Sequence, residues 1–401
     1  MFVSDTHLPQ LLSPAAYFDQ AWFHREKEHI FRSSWWAVAT LDEFQRDGDF
    51  VTLDHVHGPV ILWRKGGEIN AFLNVCAHRL SKLTAKPVGH GSCLRCEYHG
   101  WEYDESGATR QIPDAPAFRP LERGELGLRK LKTATVGAIV FVTFAEDACS
   151  IEEWLGDEAE RITKRFGRST RTLWKSTIDI PVNWKLLLEN NLESYHVTMV
   201  HGNTLGNFPD EGACHHDFAV EGSRFTGPGA DATLARFRCA LARRIDSTIT
   251  GHYSHAIVYP GFTWLCVDLL SGFQSIVPTG PRTCRMTVRF AAMQDQASRS
   301  LMNWMARLCV SAETRFWRRV INEDLSLLPL VQAGAESEWH PGSGLISRRE
   351  ERIVHFQRWI LSRMGECHDQ RHPADGARRG QVKGQSESKV LTGKTRSCVH
   401  D

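Results

Sequence analysis

The stretch Asn183-Trp184-Lys185-Leu186-Leu187-Leu188-Glu189-Asn190-Asn191-Leu192-Glu193-Ser194-Tyr195-His196-Val197-Thr198-Met199-Val200-His201 organises the reading of this chain. Trp184, Leu187, Leu188 and Leu192 recur at helical spacing, and neither Gly nor Pro intervenes before Gly202, so the pattern predicts one helix over 183–201. On it Glu189, Glu193 and His196 share a face. His196 and His201 stand about 140° apart on a straight helix, so both reach one point only if the helix loosens or ends near His201. Gly202 allows that. Polar groups on a helix that also buries Leu and Trp need partners. A metal ion would serve, as would solvent or hydrogen bonds inside a core.

The chain has 401 residues, room for two or three domains with a sizeable core. Its formal net charge of +1 argues against a nucleic-acid partner or a polybasic membrane anchor. Thirteen Trp and twenty Phe fit an apolar interior or pocket, and eleven irregularly spaced Cys make a poor disulfide framework. No basic segment followed by an apolar run opens the sequence, so no signal peptide is expected. The longest apolar run, around Val136 to Phe144, is too short to span a bilayer and reads as a strand. The expectation is a soluble, cytoplasmic protein.

Residues 13–36 carry Phe18, Trp22, Ile30 and Phe31 among many charges, the pattern of an amphipathic helix. From about Trp35 short apolar runs broken by turns take over: Phe50 to Leu53, Val60 to Trp63, the Gly66-Gly67 turn, Ala71 to Val75 and Ile139 to Val142. Such spacing predicts a small antiparallel sandwich or barrel. Within it lie Cys76-Ala77-His78 and, seventeen intervening residues later, Cys96-Glu97-Tyr98-His99. Two loops that each offer a thiolate and an imidazole suit a [2Fe–2S] cluster with two Cys on one iron and two His on the other. The alternative is structural zinc, because Cys93 and Cys96 form a Cys-x-x-Cys pair that can join Cys76 and a histidine.

Cys76-x-His78-Arg79 and Cys96-x-x-His99-Gly100-Trp101 resemble the cluster loops of Rieske proteins. With Asn183-Trp184-Lys185 and Glu193-x-x-His196-x-x-x-x-His201 downstream, residues 10 to 362 resemble the α subunit of a Rieske non-haem iron oxygenase, the ring-hydroxylating type. The resemblance implies an α+β fold: an N-terminal Rieske-type antiparallel β domain, then a helix-on-antiparallel-sheet (helix-grip-like) catalytic domain. The implied division is 1–40, a helical segment packing on the catalytic part; 41–150, the cluster domain; 151–365, the catalytic domain; and 366–401, a disordered tail. The charged segment Ile151 to Phe166 marks the crossover. Tyr253 to Val258, Phe262 to Leu270, Phe273 to Val277 and Arg285 to Ala291 read as strands, with turns at Pro260-Gly261, Ser271-Gly272 and Gly280-Pro281.

A third, carboxylate ligand is expected, since a triad of two His and one carboxylate leaves iron positions open for dioxygen. Phe316, Val320, Leu327, Leu328 and Val331 form a helical stripe that includes Asp324. By itself an Asp there serves equally as a capping or ion-paired residue. Glu323-Asp324 and Gln332 match the family's late helix, and the resemblance assigns iron to His196, His201 and Asp324 and the cluster to Cys76, His78, Cys96 and His99. Pro329 departs from relatives that carry Glu at this point. Glu193 stands where most relatives have Asp, the carboxylate that links the cluster His of one subunit to an iron-bound His of the next in a head-to-tail trimer. Here that path would run from His99 through Glu193 to His196 or His201. Some relatives with Glu here oxidise quaternary amines such as carnitine. Asn190 and Asn183 are candidates for orienting the ligands.

No Gly-x-Gly-x-x-Gly site or flavin motif is present, so NAD(P)H would act only through a separate reductase, with or without a ferredoxin. The expected unit is a homotrimer, with or without a small β subunit, that uses dioxygen to hydroxylate, dihydroxylate or demethylate a small, aromatic substrate. The alternatives are N-demethylation of a quaternary ammonium compound, held by cation–π attraction, and an electron carrier without oxygen chemistry. Pocket walls are expected from Leu187, Leu192, Gly202 to Phe208 and the strands around Tyr253 to Trp264. A last helix is expected near Ile346 to Met364. Beyond Gly365 too little apolar content remains to fold alone.

Overall fold

Alternating apolar runs become hairpins wherever glycine lets the chain reverse. Gly66 and Gly67, at φ 61° and 83°, turn strand Gly58–Lys65 into strand Glu68–Leu73, a left-handed pair that a larger residue would strain. The computed structural model describes residues 3–122, 124–167, 170–206, 211–228, 233–245, 247, 249–292, 301–339 and 344–365. The expectations for 366–401, including Cys367 and Cys398, lie outside the described residues. The first sheet has seven antiparallel strands in the order Trp36–Thr40, Ile139–Thr143, Lys130–Val136, Glu68–Leu73, Gly58–Lys65, Asp49–His55, Val88–His90. A three-stranded sheet, Leu94–Arg95, Glu102–Tyr103 and Thr109–Gln111, carries the second cysteine loop.

The long N-terminal helix expected over 13–36 is shorter and irregular. A 3-10 turn at Pro14–Tyr17 precedes helix α1 (Gln20–Glu26), which passes into a π turn at Lys27–Phe31. Asp19 starts α1 afresh, its carboxylate accepting from the N–H groups of Ala21 and Trp22. The crossover is likewise two helices, α2 (Ile151–Leu155) and α3 (Glu158–Arg165), separated at Gly156, φ 53°. Trp154, Leu155 and Ile162 pack into one apolar cluster with Phe141 of the first sheet and Phe262 and Trp264 of the second.

The catalytic part contains α4 (Trp184–Asn191), α5 (Val197–Val200), α6 (Thr233–Ile245), α7 (Leu301–Ala335) and α8 (Glu351–Arg363). Its seven-stranded antiparallel sheet runs Thr172–Ile180, Thr283–Ala292, Leu270–Gly280, Phe262–Val267, Tyr253–Val258, Gly222–Gly227, His215–Ala219. Ser271-Gly272, expected as a turn, lies inside a strand; the reversal is at Asp268-Leu269, with Asp268 at φ 45°. Gly272 instead pairs with Phe290, whose ring would stand 2.5 Å from an added Cβ. Leu187 and Leu188 of α4 and Leu328 of α7 share a core with Leu265, Ile276 and Val288 of the sheet. That places α4 and α7 together on one sheet face. Pro329 lies within α7 without ending it.

Candidate functional site

The two cysteine loops are built alike. In each, the cysteine N–H donates to the carbonyl five residues on, Cys76 to Ser81 at 2.8 Å and Cys96 to Trp101 at 2.9 Å. Each cysteine carbonyl accepts from the N–H four residues on, from Leu80 at 3.1 Å and Gly100 at 2.9 Å. That fourth residue has positive φ in both loops, 61° at Leu80 and 74° at Gly100. The knuckles place Cys76 and Cys96 side by side in the interior, while the rings of His78 and His99 lie 4.7 Å apart nearer the surface. His78 stacks parallel on Trp101 at 5.1 Å, and its buried Nδ1 has no hydrogen-bond partner among the described residues. Paired thiols inside, paired imidazoles outside and an orphaned ring nitrogen fit a cluster with a Cys pair on one iron and a His pair on the other. Cys93, the residue zinc would need, hydrogen-bonds Glu102 instead.

Tyr103 was not singled out by the sequence, yet its hydroxyl lies 3.1 Å from Cys76 Sγ and accepts from the N–H of Ala77 at 3.0 Å. Burial, and then the sulfur beside it, push the phenol well above its ordinary range, so it stays protonated. A hydrogen bond to a cluster sulfur stabilises the reduced, more negative state. Tyr103→Phe should therefore lower the cluster potential by on the order of tens of millivolts, read by redox titration of the visible spectrum. An unchanged potential would show that this hydroxyl does not tune the cluster.

The single helix expected over 183–201 is broken earlier than Gly202. α4 ends at Asn191 and α5 begins at Val197, with Glu193 in the bend. The Glu193 carboxylate accepts from the N–H groups of Tyr195 and His196, drawing the backbone into a turn. The bend brings the His196 and His201 rings to 5.2 Å between centroids. Asp324, from the middle of α7, completes the group: its Oδ1 is 2.9 Å from His201 Nε2 and 3.3 Å from His196 Nε2. One donor atom from each of the three lies within 4.8 Å of the others.

Each imidazole is held from behind. Glu193 Oε1 contacts His196 Nδ1, and Glu323 Oε2 lies 2.9 Å from His201 Nδ1. Glu323 is itself held by Thr204 Oγ1 at 2.7 Å and Arg319 Nε at 3.1 Å. In the sequence, the only sign of this role for Glu323 is its place beside Asp324. Both rings thus turn Nε2 toward Asp324, the orientation carboxylates impose on metal-binding histidines. Burial disfavours charge on both imidazoles, but contacts with Asp324 and Glu193 outweigh it and raise His196 to about 10. His201 is raised likewise by Asp324 and Glu323. Burial would raise Asp324, yet the two imidazoles lower it to about 2. Three carboxylates around two imidazoles favour positive charge, which a divalent cation supplies.

Asn183 caps α4, its side chain accepting from Lys185 N–H at 2.9 Å and donating to the Pro281 carbonyl at 2.8 Å. It touches neither imidazole. Its own N–H donates to Gln332 Oε1 at 2.8 Å, which ties α4 to α7. Asn190 is half-buried on α4, and its side chain makes no hydrogen bond among the described residues. Leu187 and Leu192 are buried on the site side. Phe208, expected in the pocket wall, lies outside the described residues. Trp264, expected there too, faces the opposite side of the sheet, where its Nε1 donates to Glu158. Tyr253 faces the site and stacks on Trp317 of α7 at 6.2 Å.

Two family models match the chain, the Rieske [2Fe-2S] domain over residues 34–132 and the ring hydroxylating alpha subunit (catalytic domain) over residues 166–366. The fold and both sites therefore define a Rieske non-haem iron oxygenase. The chain belongs to the ring-hydroxylating α-subunit family. It is an oxidoreductase with a [2Fe–2S] cluster and a non-haem iron that uses dioxygen. Curated relatives are named as the terminal oxygenase component, oxygenase subunit or large subunit of their enzymes. The second model removes the carrier alternative.

The chain is 26% identical over 351 residues to choline monooxygenase, chloroplastic, of Atriplex hortensis, covering 86% of this chain and 76% of the relative. It is 33% identical over 199 residues to the terephthalate 1,2-dioxygenase terminal oxygenase component subunit alpha 2 of Comamonas sp, covering 46% and 47%. Among solved structures, the quaternary ammonium Rieske monooxygenase CntA in complex with an inhibitor superposes with a TM-score of 0.74 at 20% identity, over 90% of this chain and 95% of that one. No helix among the described residues is long and apolar enough to cross a membrane.

Proposed function

We propose that His196, His201 and Asp324 hold the mononuclear iron, and that Cys76, His78, Cys96 and His99 hold the cluster. The observation that carries this is the convergence of three donor atoms within 4.8 Å, each imidazole backed by its own glutamate. When bound, the iron supplies open positions for dioxygen activation and the cluster supplies electrons one at a time. Glu193 holds His196 Nδ1 and Glu323 holds His201 Nδ1, so the two rings keep the tautomer that leaves Nε2 free for metal.

Glu193 is the acidic relay between centres. It reaches His196, not His201, and its other side would receive the exposed His99 of a neighbouring subunit in a head-to-tail homotrimer. The nine described cysteines form no disulfide with one another, which supports a reducing, cytoplasmic setting. The substrate is a small aromatic compound, supported by the ring-lined face of Phe225, Tyr253 and Trp317 beside the site. Glu193→Gln should keep both iron centres at full occupancy while slowing single-turnover electron transfer from cluster to iron by roughly 10–100-fold. Unchanged turnover with full iron content would rule the relay out. Oxygen uptake with a promiscuous reductase across arenes and methylammonium compounds, with product analysis, tests the substrate class.

A further inference from the structure

Arg352 of α8 has no part in the iron chemistry, yet it is only 2% exposed. Buried guanidinium groups are held by carboxylates, because an unpaired charge in the interior is costly. This one is not. Its Nε donates to Ser223 Oγ at 3.0 Å and its Nη2 to the Ser223 carbonyl at 3.4 Å, and no carboxylate pairs with it among the described residues.

The nearby acids are committed elsewhere. Glu351 accepts from the N–H groups of Val3 and Ser4 and lies 2.8 Å from His216 Nδ1. Glu158 pairs with Arg224 on the opposite side of the sheet. The groups within electrostatic reach of Arg352 are Tyr253, Tyr259, His255, His216 and Arg224, all neutral or positive. Burial lowers Arg352 to about 10, still charged at neutral pH. Burial and the two arginines lower His255 to about 3, so its ring is neutral.

Strand register places this group on the sheet face that carries the iron site. Ser223 pairs with Ile257 and Phe225 with His255, so these side chains share the sheet face on which α4 and α7 pack. Tyr253 lies on that face, within electrostatic reach of both Arg352 and Asp324. One aromatic side chain therefore spans the interval between the lone buried cation and the iron site.

Building on the oxygenase reading, we infer that Arg352, seated by Ser223, is an anion subsite that takes a substrate carboxylate, so that the substrates are small aromatic acids. The guanidinium fork matches a carboxylate in two hydrogen bonds, and the carboxylate supplies the countercharge that the protein withholds. The same buried charge repels a substrate whose only charge is a quaternary ammonium.

The test is calorimetric titration of the iron-loaded, full-length protein with benzoate, with its neutral isostere benzamide and with choline. Benzoate should bind at least about tenfold tighter than benzamide, the scale of a charge-assisted hydrogen bond, and choline least. Arg352→Gln should erase the preference and Arg352→Lys should keep part of it, with the cluster's visible spectrum reporting that each variant is folded. Equal affinities for benzoate and benzamide in the unmodified protein, no binding of either, or tighter binding of choline would overturn the inference even if the variants fail to fold. Asp324→Ala separates the two readings, because an iron-depleted protein should still prefer benzoate.

Discussion

Asp324→Ala should lower iron from about three atoms per chain to about two, the mononuclear iron being lost and the cluster kept. Asp324 is the only carboxylate aimed at the convergence of His196 Nε2 and His201 Nε2 among the described residues. Its removal leaves two imidazoles whose backing glutamates face away from the metal position. Substrate-dependent oxygen uptake should fall by more than about 100-fold, the upper end of what losing an outer-shell partner costs. The cluster loops sit on separate strands and share no ligand with this site, so the visible spectrum should stay as it is. Simultaneous loss of both iron signals would sink the assignment of two independent centres.

Glu26→Ala should destabilise the fold by about 3–5 kcal/mol, the penalty for stripping one partner from a buried ion pair. Glu26 Oε1 lies 2.5 Å from Lys185 Nζ, with both side chains 0% exposed, and Glu26 Oε2 accepts from Trp184 Nε1 at 3.0 Å. Lys185 is also flanked by the rings of Tyr17 and Trp184, at 5.6 and 5.2 Å, and lies within electrostatic reach of Glu189. Burial already lowers its pKa, with Glu26 opposing that shift. Urea unfolding monitored by fluorescence reads the change. The double replacement Glu26→Met with Lys185→Met should recover part of the loss, since the Glu26–Lys185 pair goes together while buried Glu189, already raised to about 7 by burial, loses its cation and goes neutral. A cost below about 1 kcal/mol for Glu26→Ala would show that the pair is far wetter than its geometry implies.

The cluster loops were legible because their chemistry is local. Cys76 and His78 lie within three residues, Cys96 and His99 within four, and a tight knuckle needs little else. Tyr103 was not legible, because pairing of strands Leu94–Arg95 and Glu102–Tyr103 delivers its hydroxyl to Cys76. The break between α4 and α5 was hidden for a different reason. Glutamate is a good helix former, and only its carboxylate's capture of two N–H groups and an imidazole shows that it ends a helix here. Glu26 read as one charge among many on an amphipathic segment, and its partner lies 159 residues away.

By itself the sequence determined the family and offered the donor side chains proposed for the two iron centres, since donor type and spacing are properties of short segments. Only the tertiary structure decided that Glu323 backs His201, that Glu26 is buried against Lys185, and that Arg352 lacks a carboxylate among the described residues. These follow from helices packing on a sheet, where contact between residues more than a hundred positions apart is set by register and close packing rather than by local pattern.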